Sequence, residues 1–287
     1  MNQKDEQLET YLEQNLQKST VKNYLYEINK FTLLNRNTET YDYKKVMEYV
    51  EIIRKNYEPA SIIRILSALK KYYDYLVNTG IRKDNPARAI QLRDIKKKPI
   101  QLQDLFTENE LQKLLEPRKE RYPLLAKRNQ IIMGLLVNQA LKIGEITQIK
   151  TTDINLEKAQ INITGTTQTN NRILPLKAEQ ILLFYNYLEY KKDNSNVFLI
   201  NKLGSKITGE DINYLISTYQ KSRNFGGKKL TSITIRQSVI TNLLTKGNDL
   251  RMVQEFSGHK YLDTTEKYKQ TGIKALQNAI EKHHPIQ

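Results

Sequence analysis

Apolar and aromatic residues recur at spacings of three and four through most of the chain, the mark of amphipathic helices, and they alternate with polar residues in only one short region. Between about Leu8 and Leu33 the set Tyr11, Leu12, Val21, Tyr24, Leu25, Ile28 and Phe31 is interrupted at Ser19-Thr20, so two helices are expected. A second pair follows: Tyr43-Val46-Met47-Val50-Ile53 before the turn at Tyr57-Glu58-Pro59, and Ile62-Ile65-Leu66-Leu69-Tyr72-Tyr73-Leu76 before Gly80. Residues 1–88 therefore read as a small all-helical domain.

Asn85-Pro86 closes that block, and Arg93-Asp94-Ile95-Lys96-Lys97-Lys98-Pro99 joins a charge run to a proline, as exposed connectors do. A linker is expected over 89–104 and a second domain over 105–287. Thr107-x-x-Glu110 is a capping box ahead of Leu111, Leu114 and Leu115, and a longer apolar helix should run from about Ala126 to Val137. Gln160–Ile163 and Arg172–Leu176 are β-rich and are separated by the polar stretch GTTQTNN, which predicts a small antiparallel sheet. Helical spacing resumes at Ala178–Tyr187, Gly209–Gln220, Ile233–Thr245, Leu250–Phe256 and Ile273–Ile280. The fold class expected is mainly α with a small antiparallel β-sheet in the second domain.

Charge narrows the set of partners. Across 287 residues, 46 Lys and Arg stand against 31 Asp and Glu, a net +15 that divides into +6 before residue 100 and +9 after it. Both halves are basic, which suits a polyanionic partner, although solubility alone can produce such a balance. With no cysteine, a disulfide framework, a thiol nucleophile and a thiolate zinc site are excluded. The first twenty residues lack an apolar stretch, and no run approaches the ~18 apolar residues of a membrane span. A cytoplasmic, nucleoid-associated protein with no membrane contact is expected. The histidines are His259, His283 and His284, the last two in a polar tail, so neither a dedicated metal site nor another cofactor is anticipated.

The most informative segment runs from Ile233 to Gln270. Arg236 lies 23 residues before His259, which follows Gly258, and Tyr268 lies nine residues after it. The segment resembles the tyrosine recombinases, the integrase and chromosome-dimer-resolvase class. Their catalytic domain carries His-x-x-Arg-His on a helix, then a Leu-Gly-His/Trp turn, then a tyrosine nine residues on. Lys246-Gly247-Asn248-Asp249-Leu250, Val253-Gln254 and Thr264-Thr265 are similar to that family as well, as are LFTENELQKLL at the start of the second domain and NQALKIGEITQIKTTDI at the first arginine box. The resemblance implies a helical, DNA-clamping core-binding domain followed by a mixed α/β catalytic domain. It implies Tyr268 as a nucleophile that forms a 3′-phosphotyrosine, Arg236 as a phosphate clamp and His259 as a hydrogen-bond donor, with no ATP or metal required.

The sequence also departs from the family. Its Gly-Leu-Arg reads Ala140-Leu141-Lys142, which keeps a charge but replaces a bidentate fork by a point charge. Arg128, fourteen residues earlier, would lie roughly 21 Å away on a continuous helix, so Lys142 is taken as the weakened second clamp. His-x-x-Arg-His reads Ile233-x-x-Arg236-Gln237, and of the two replacements only Gln237 can donate a hydrogen bond. The hairpin, where the family usually carries a general-acid lysine, offers only Arg172 as a basic residue.

In the first domain Lys18, Lys22, Arg64, Lys70 and Lys71, with Ser19, Thr20 and Ser67, are together expected phosphate contacts that position a duplex, although each taken singly reads first as a solvated helix face. Lys96, Lys97 and Lys98 of the linker and Arg172 of the hairpin join them. The repeat Ile273, Leu276, Ile280 suits a tail helix that docks on a neighbouring protomer or packs on its own domain. The resemblance implies double-stranded DNA as partner, a homotetramer on two DNA sites, and a partner recombinase or DNA-bending protein as further partners. Two readings stay open: a site-specific recombinase, and a catalytically impaired paralogue that binds DNA as an accessory subunit.

Overall fold

The computed structural model describes residues 3–92, 100–120, 122, 125–191 and 195–269. The chain divides into two compact units, Met1–Lys98 and Pro99–Gln287.

Among the described residues the first unit holds four α-helices: α1 (Gln3–Glu13), α2 (Lys18–Leu34), α3 (Tyr43–Arg54) and α4 (Pro59–Asn78). The Asp42 carboxylate caps α3 by accepting from the Lys45 N–H at 2.9 Å, and Pro59 opens α4 at a position where no backbone donor is lost. Apolar residues three and four apart on α4, from Ile62 to Leu76, are buried against α1, α2 and α3. Phe31 of α2 sits at the centre, edge-on to Tyr49 with ring centroids 4.7 Å apart.

The second unit is built around α6 (Ala126–Asn138). Every residue of α6 from Ile131 to Val137 is buried, and the helix packs against α8 (Ala178–Lys191) and α10 (Ser232–Thr245). The helix α5 (Glu108–Lys113) starts with the capping box read from the sequence, Thr107 accepting from Glu110 N–H and Glu110 accepting from Thr107 N–H. A four-residue helix α7 (Ile143–Ile146) precedes an antiparallel sheet of order β1 (Ile154–Asn155), β2 (Gln160–Ile163), β3 (Arg172–Pro175), in which Ile161 faces Leu174 and Ile163 faces Arg172. Then come α8, α9 (Gly209–Ser222), α10, α11 (Leu250–Ser257) and α12 (Leu262–Glu266). The mainly helical architecture with one small antiparallel sheet is the class the spacing predicts. The short elements α7, β1 and α12 are additions to it.

Two expectations need correction. The helix bearing Arg128 ends at Asn138, and Arg128 itself is buried, its guanidinium on the Asn129 side-chain oxygen and the Ile200 carbonyl. The continuous helix on which the spacing of Arg128 and Lys142 was conditional therefore does not exist. Arg172, expected on DNA, points into the protein. Alternation along β3 puts it on the buried face with Leu174, where both of its Nη atoms donate to Glu145. Lys96–Lys98 and the tail helix proposed over Ile273–Ile280 lie outside the described residues. Among the described residues no helix is long and apolar enough to cross a membrane.

Candidate active site

Four pieces of the second unit converge on a cleft of about 650 Å³: the loop leading into α7, the hairpin between β2 and β3, the first turns of α10, and the segment from His259 to Tyr268. Lys142, Gln168, Arg236, Gln237, His259 and Tyr268 all line it. The five residues that the sequence nominates for chemistry are thus brought to one place. The exposed Ile233 lines it too.

Arg236 is held by its neighbours. It is buried on α10, and its two Nη atoms donate to the carbonyls of Ala140 and of Ser257, the latter at 2.6 Å. A guanidinium has five N–H donors, so these two bonds fix its plane and leave others for an anion. Burial lowers its pKa, while Glu145 acts in the opposite direction. Ala140, which supplies one of the carbonyls, is fully buried with φ of 50°, a left-handed conformation where the family's glycine would be unstrained.

His259 follows a helix end of a familiar kind. Gly258 takes φ of 71°, its N–H donates to Glu255 O, and the His259 N–H donates to Gln254 O, which turns the chain out of α11. The imidazole is buried, with Nδ1 2.9 Å from the hydroxyl of the fully buried Thr265. Burial first, and then Arg236, Lys142 and Arg172, push its pKa down to about 4 against the pull of Glu145, so the ring is neutral near pH 7. The Tyr268 ring stacks on it at 5.8 Å between centroids and 16° between planes. Burial raises the Tyr268 pKa and Arg236 works against that rise.

Lys142 is the half-buried residue before α7. Its backbone N–H donates to Glu145 at 2.9 Å and its Nζ lies 3.5 Å from Gln168 Oε1 on the hairpin. Burial lowers its pKa, as do Arg236 and Arg172, against Glu145. Behind it lies the pair that sequence reasoning missed: Arg172 and Glu145 meet at 2.8 and 3.0 Å with both side chains out of solvent, and Arg172 Nε donates to Phe256 O. The alternation of Arg172 with Leu174 was the available signal for that pair. Thr265 stood out in the sequence only through the family-like Thr264-Thr265, with no role attached to it.

In the first unit, Lys18, Ser19 and Lys22 are exposed and Thr20 is half-buried, all along the start of α2. Arg64 is also exposed and pairs with the buried Glu27 at 2.8 Å. Ser67 donates back to Ile63 O, and Lys71 is half-buried. Lys70 departs from its expected role, since its ammonium donates to the carbonyl of Ile90 at 2.8 Å and so ties α4 to the segment that follows it.

Comparison with known proteins bears on this geometry. Residues 104–273 match the Phage integrase family, and residues 6–80 match the Phage integrase, N-terminal SAM-like domain. The chain is 28% identical over 282 residues to the tyrosine recombinase XerA of Pyrococcus horikoshii, covering 96% of this chain and 92% of that one. It is 27% identical over 283 residues to the tyrosine recombinase XerC of Staphylococcus aureus strain MSSA476, covering 96% and 93%. Among solved structures, its fold is similar to that of the XerH site-specific recombinase bound to difH substrate, with a TM-score of 0.69, 21% identity and coverage of 90% and 76%. It is likewise similar to the Tn1549 transposon integrase in complex with transposon right end DNA, with a TM-score of 0.67, 17% identity and coverage of 97% and 98%. With the family match spanning more than half of its length, the chain belongs to the phage integrase family, that of the tyrosine recombinases.

Proposed function

We propose that the chain cuts and rejoins double-stranded DNA at specific sites, with Tyr268 as the nucleophile. The phenolic oxygen attacks a backbone phosphorus and the bond to the 5′-oxygen breaks. The 3′-phosphotyrosine so formed conserves the bond for a partner strand's 5′-hydroxyl to reverse. Arg236 and Lys142 offset charge on the non-bridging oxygens, and Gln237 adds a hydrogen bond. His259, held at Nδ1 by Thr265, offers Nε2 to the same phosphate. Lys18, Lys22, Arg64 and Lys71, with Ser19, Thr20 and Ser67, contact phosphates and set the duplex in register. Pairs of sites are joined by a homotetramer.

The observation that carries this reading is the gathering of a phenol, a guanidinium and an imidazole on one cleft, Tyr268 stacked on His259 and Arg236 fixed beside them. The duplex as substrate is supported by the XerH and Tn1549 structures, each of which holds its DNA.

The test uses the full chain and a duplex recovered by binding selection from a randomised pool, nicked beside the mapped cleavage position so that the cut end diffuses away. Wild type should accumulate a covalent protein–DNA adduct and Tyr268→Phe should give none. Wild type that binds the duplex but forms no more adduct than Tyr268→Phe would leave the accessory, DNA-binding reading in its place.

A further inference from the structure

The cleavage step places a demand on the cleft that the clamp residues do not meet. Breaking the bond to the 5′-oxygen leaves an alkoxide, a poor leaving group unless a proton reaches it as the bond breaks. Among the described residues lining the cleft, few can supply one. Arg236 has two Nη atoms on backbone carbonyls, and a guanidinium does not release protons in water. Gln168, Gln237, Thr167, Thr264 and Ser232 do not ionise. The His259 ring is already neutral, with Nδ1 engaged by Thr265. Tyr268 is the attacking group. Lys260 and Tyr261 also line the cleft, but both are exposed to solvent.

Lys142 is an amine held half-buried in the cleft, where Lys260 is exposed. Its ammonium extends from the start of α7 to the hairpin and meets Gln168 Oε1 at 3.5 Å, the outer limit of a hydrogen bond, so it is steadied without being neutralised. The charged groups facing it are Arg236 from α10, Arg172 from β3 and Glu145 from α7, and Glu145 is itself forked to Arg172. Two cations and one already-paired carboxylate make this a place where giving up a proton relieves repulsion. The lowered pKa of Lys142 agrees with that geometry.

We propose that Lys142 is the general acid of the cleavage step, its ammonium protonating the 5′-oxygen as the phosphorus–oxygen bond breaks. The step rests on the reading of Tyr268 as nucleophile. The Tyr268 oxygen forms the new bond to phosphorus, and its proton passes to water in the open cleft. The electron pair of the broken bond stays on the 5′-oxygen, which takes a proton from Lys142 Nζ and leaves as a hydroxyl. Lys142 remains as an amine, ready to take that proton back when a 5′-hydroxyl attacks the phosphotyrosine. An arginine at this position clamps phosphate better but cannot do this, so the Lys142 substitution exchanges geometry for a transferable proton.

The test compares wild type, Lys142→Met and Lys142→Arg on two nicked duplexes from the selected pool, identical except that the bridging 5′-atom at the scissile phosphate is oxygen in one and sulfur in the other. A thiolate leaves without protonation. On the oxygen duplex both variants should cleave slower by about 10²-fold or more. On the sulfur duplex both should come within about tenfold of wild type, a rescue that also shows the variants are folded. The wild-type rate on oxygen should fall at high pH as the ammonium is lost, with no matching fall on sulfur. Equal defects on the two duplexes, or Lys142→Arg cleaving the oxygen duplex as fast as wild type, would overturn the acid role and leave Lys142 a clamp. A wild type that gives no Tyr268-dependent adduct on either duplex would instead remove the nucleophile reading on which the proposal stands.

Discussion

Arg172 and Glu145, 27 residues apart in sequence, face each other fork to fork at 2.8 and 3.0 Å with neither side chain reaching solvent. The pair ties β3 to α7, and through Arg172 Nε and the Phe256 carbonyl it reaches the end of α11. Glu145 also accepts from the Lys142 N–H, so one carboxylate positions the residue that enters the cleft. Burial alone would raise the Glu145 pKa, but the hydrogen bonds and charge of Arg172 outweigh it and hold the carboxyl below its ordinary value.

Removing one partner of such a pair strands the other charge in the interior. Glu145→Gln should therefore lower stability by about 3 kcal/mol or more, whereas a double replacement by leucines should recover most of that loss. Chemical unfolding of the full chain checks both, and a Glu145→Gln loss below about 1 kcal/mol would show that Arg172 finds solvent or another partner.

Gly258 is predicted to tolerate no side chain. Its φ of 71° is left-handed, and a Cβ there would stand 2.6 Å from Arg172 Nη1. Gly247 serves as the control, since it has φ of 84° with nothing within 4 Å of an added Cβ. Gly247→Ala should cost about 1 kcal/mol from the backbone alone. Gly258→Ala should cost roughly 2 kcal/mol beyond that, because the guanidinium it displaces cannot keep both Glu145 oxygens. Thermal unfolding of the two variants side by side reads the difference, and equal losses would count against the packing contact.

How much of this was legible beforehand follows from the range of each interaction. Helices α1 to α4, α6 and α8 to α11 are long enough for a three-and-four repeat to accumulate, and the Thr107–Glu110 box marks the start of α5 within four residues. The spacing of Arg236, His259 and Tyr268 is likewise a sequence property, because α10, α11 and the Gly258 turn are contiguous. The four-residue α7, two-residue β1 and five-residue α12 are too short for any period, and tertiary contacts form them. Arg172 was misread because a basic residue in a polar hairpin looks solvated until its carboxylate partner is known. Lys70 was misread for the same reason, its acceptor being a backbone carbonyl that no residue type announces.

The two kinds of basic residue on the first unit should separate in a salt titration. Lys18 and Lys22 are exposed on α2, and a lysine that contacts a phosphate releases about one counterion. Replacing both with alanine should lower the slope of log affinity against log salt by about 2, with little effect on stability. Lys70→Ala should do the reverse, leaving the slope unchanged and destabilising the helical unit by about 1 kcal/mol as the Ile90 carbonyl loses its donor. Fluorescence anisotropy with the selected duplex at several salt concentrations gives the slopes. An unchanged slope in Lys18→Ala/Lys22→Ala would remove the start of α2 from the DNA-facing surface.

The buried imidazole predicts a distinct acid response. In an unfolded chain His259 titrates near 6.5, whereas in the fold it is pushed down to about 4, so the fold favours its neutral form. Above pH 6.5 both states are neutral and the full stability is present. As pH falls from 6.5 toward 4 the unfolded chain takes up a proton that the folded chain refuses, and stability declines by at most about 3 kcal/mol. Below 4 both states carry the proton and this group removes nothing more. Glu110 and Glu145, both held below the ordinary carboxylate value, act lower, since the unfolded carboxyls gain protons only near 4.5. The window between pH 6.5 and 5 therefore isolates the histidine. Unfolding midpoints measured across it should fall for wild type and stay nearly level for His259→Gln, which keeps a polar side chain but no titratable proton; parallel curves would mean that His259 is as free to ionise in the folded chain as in the unfolded one.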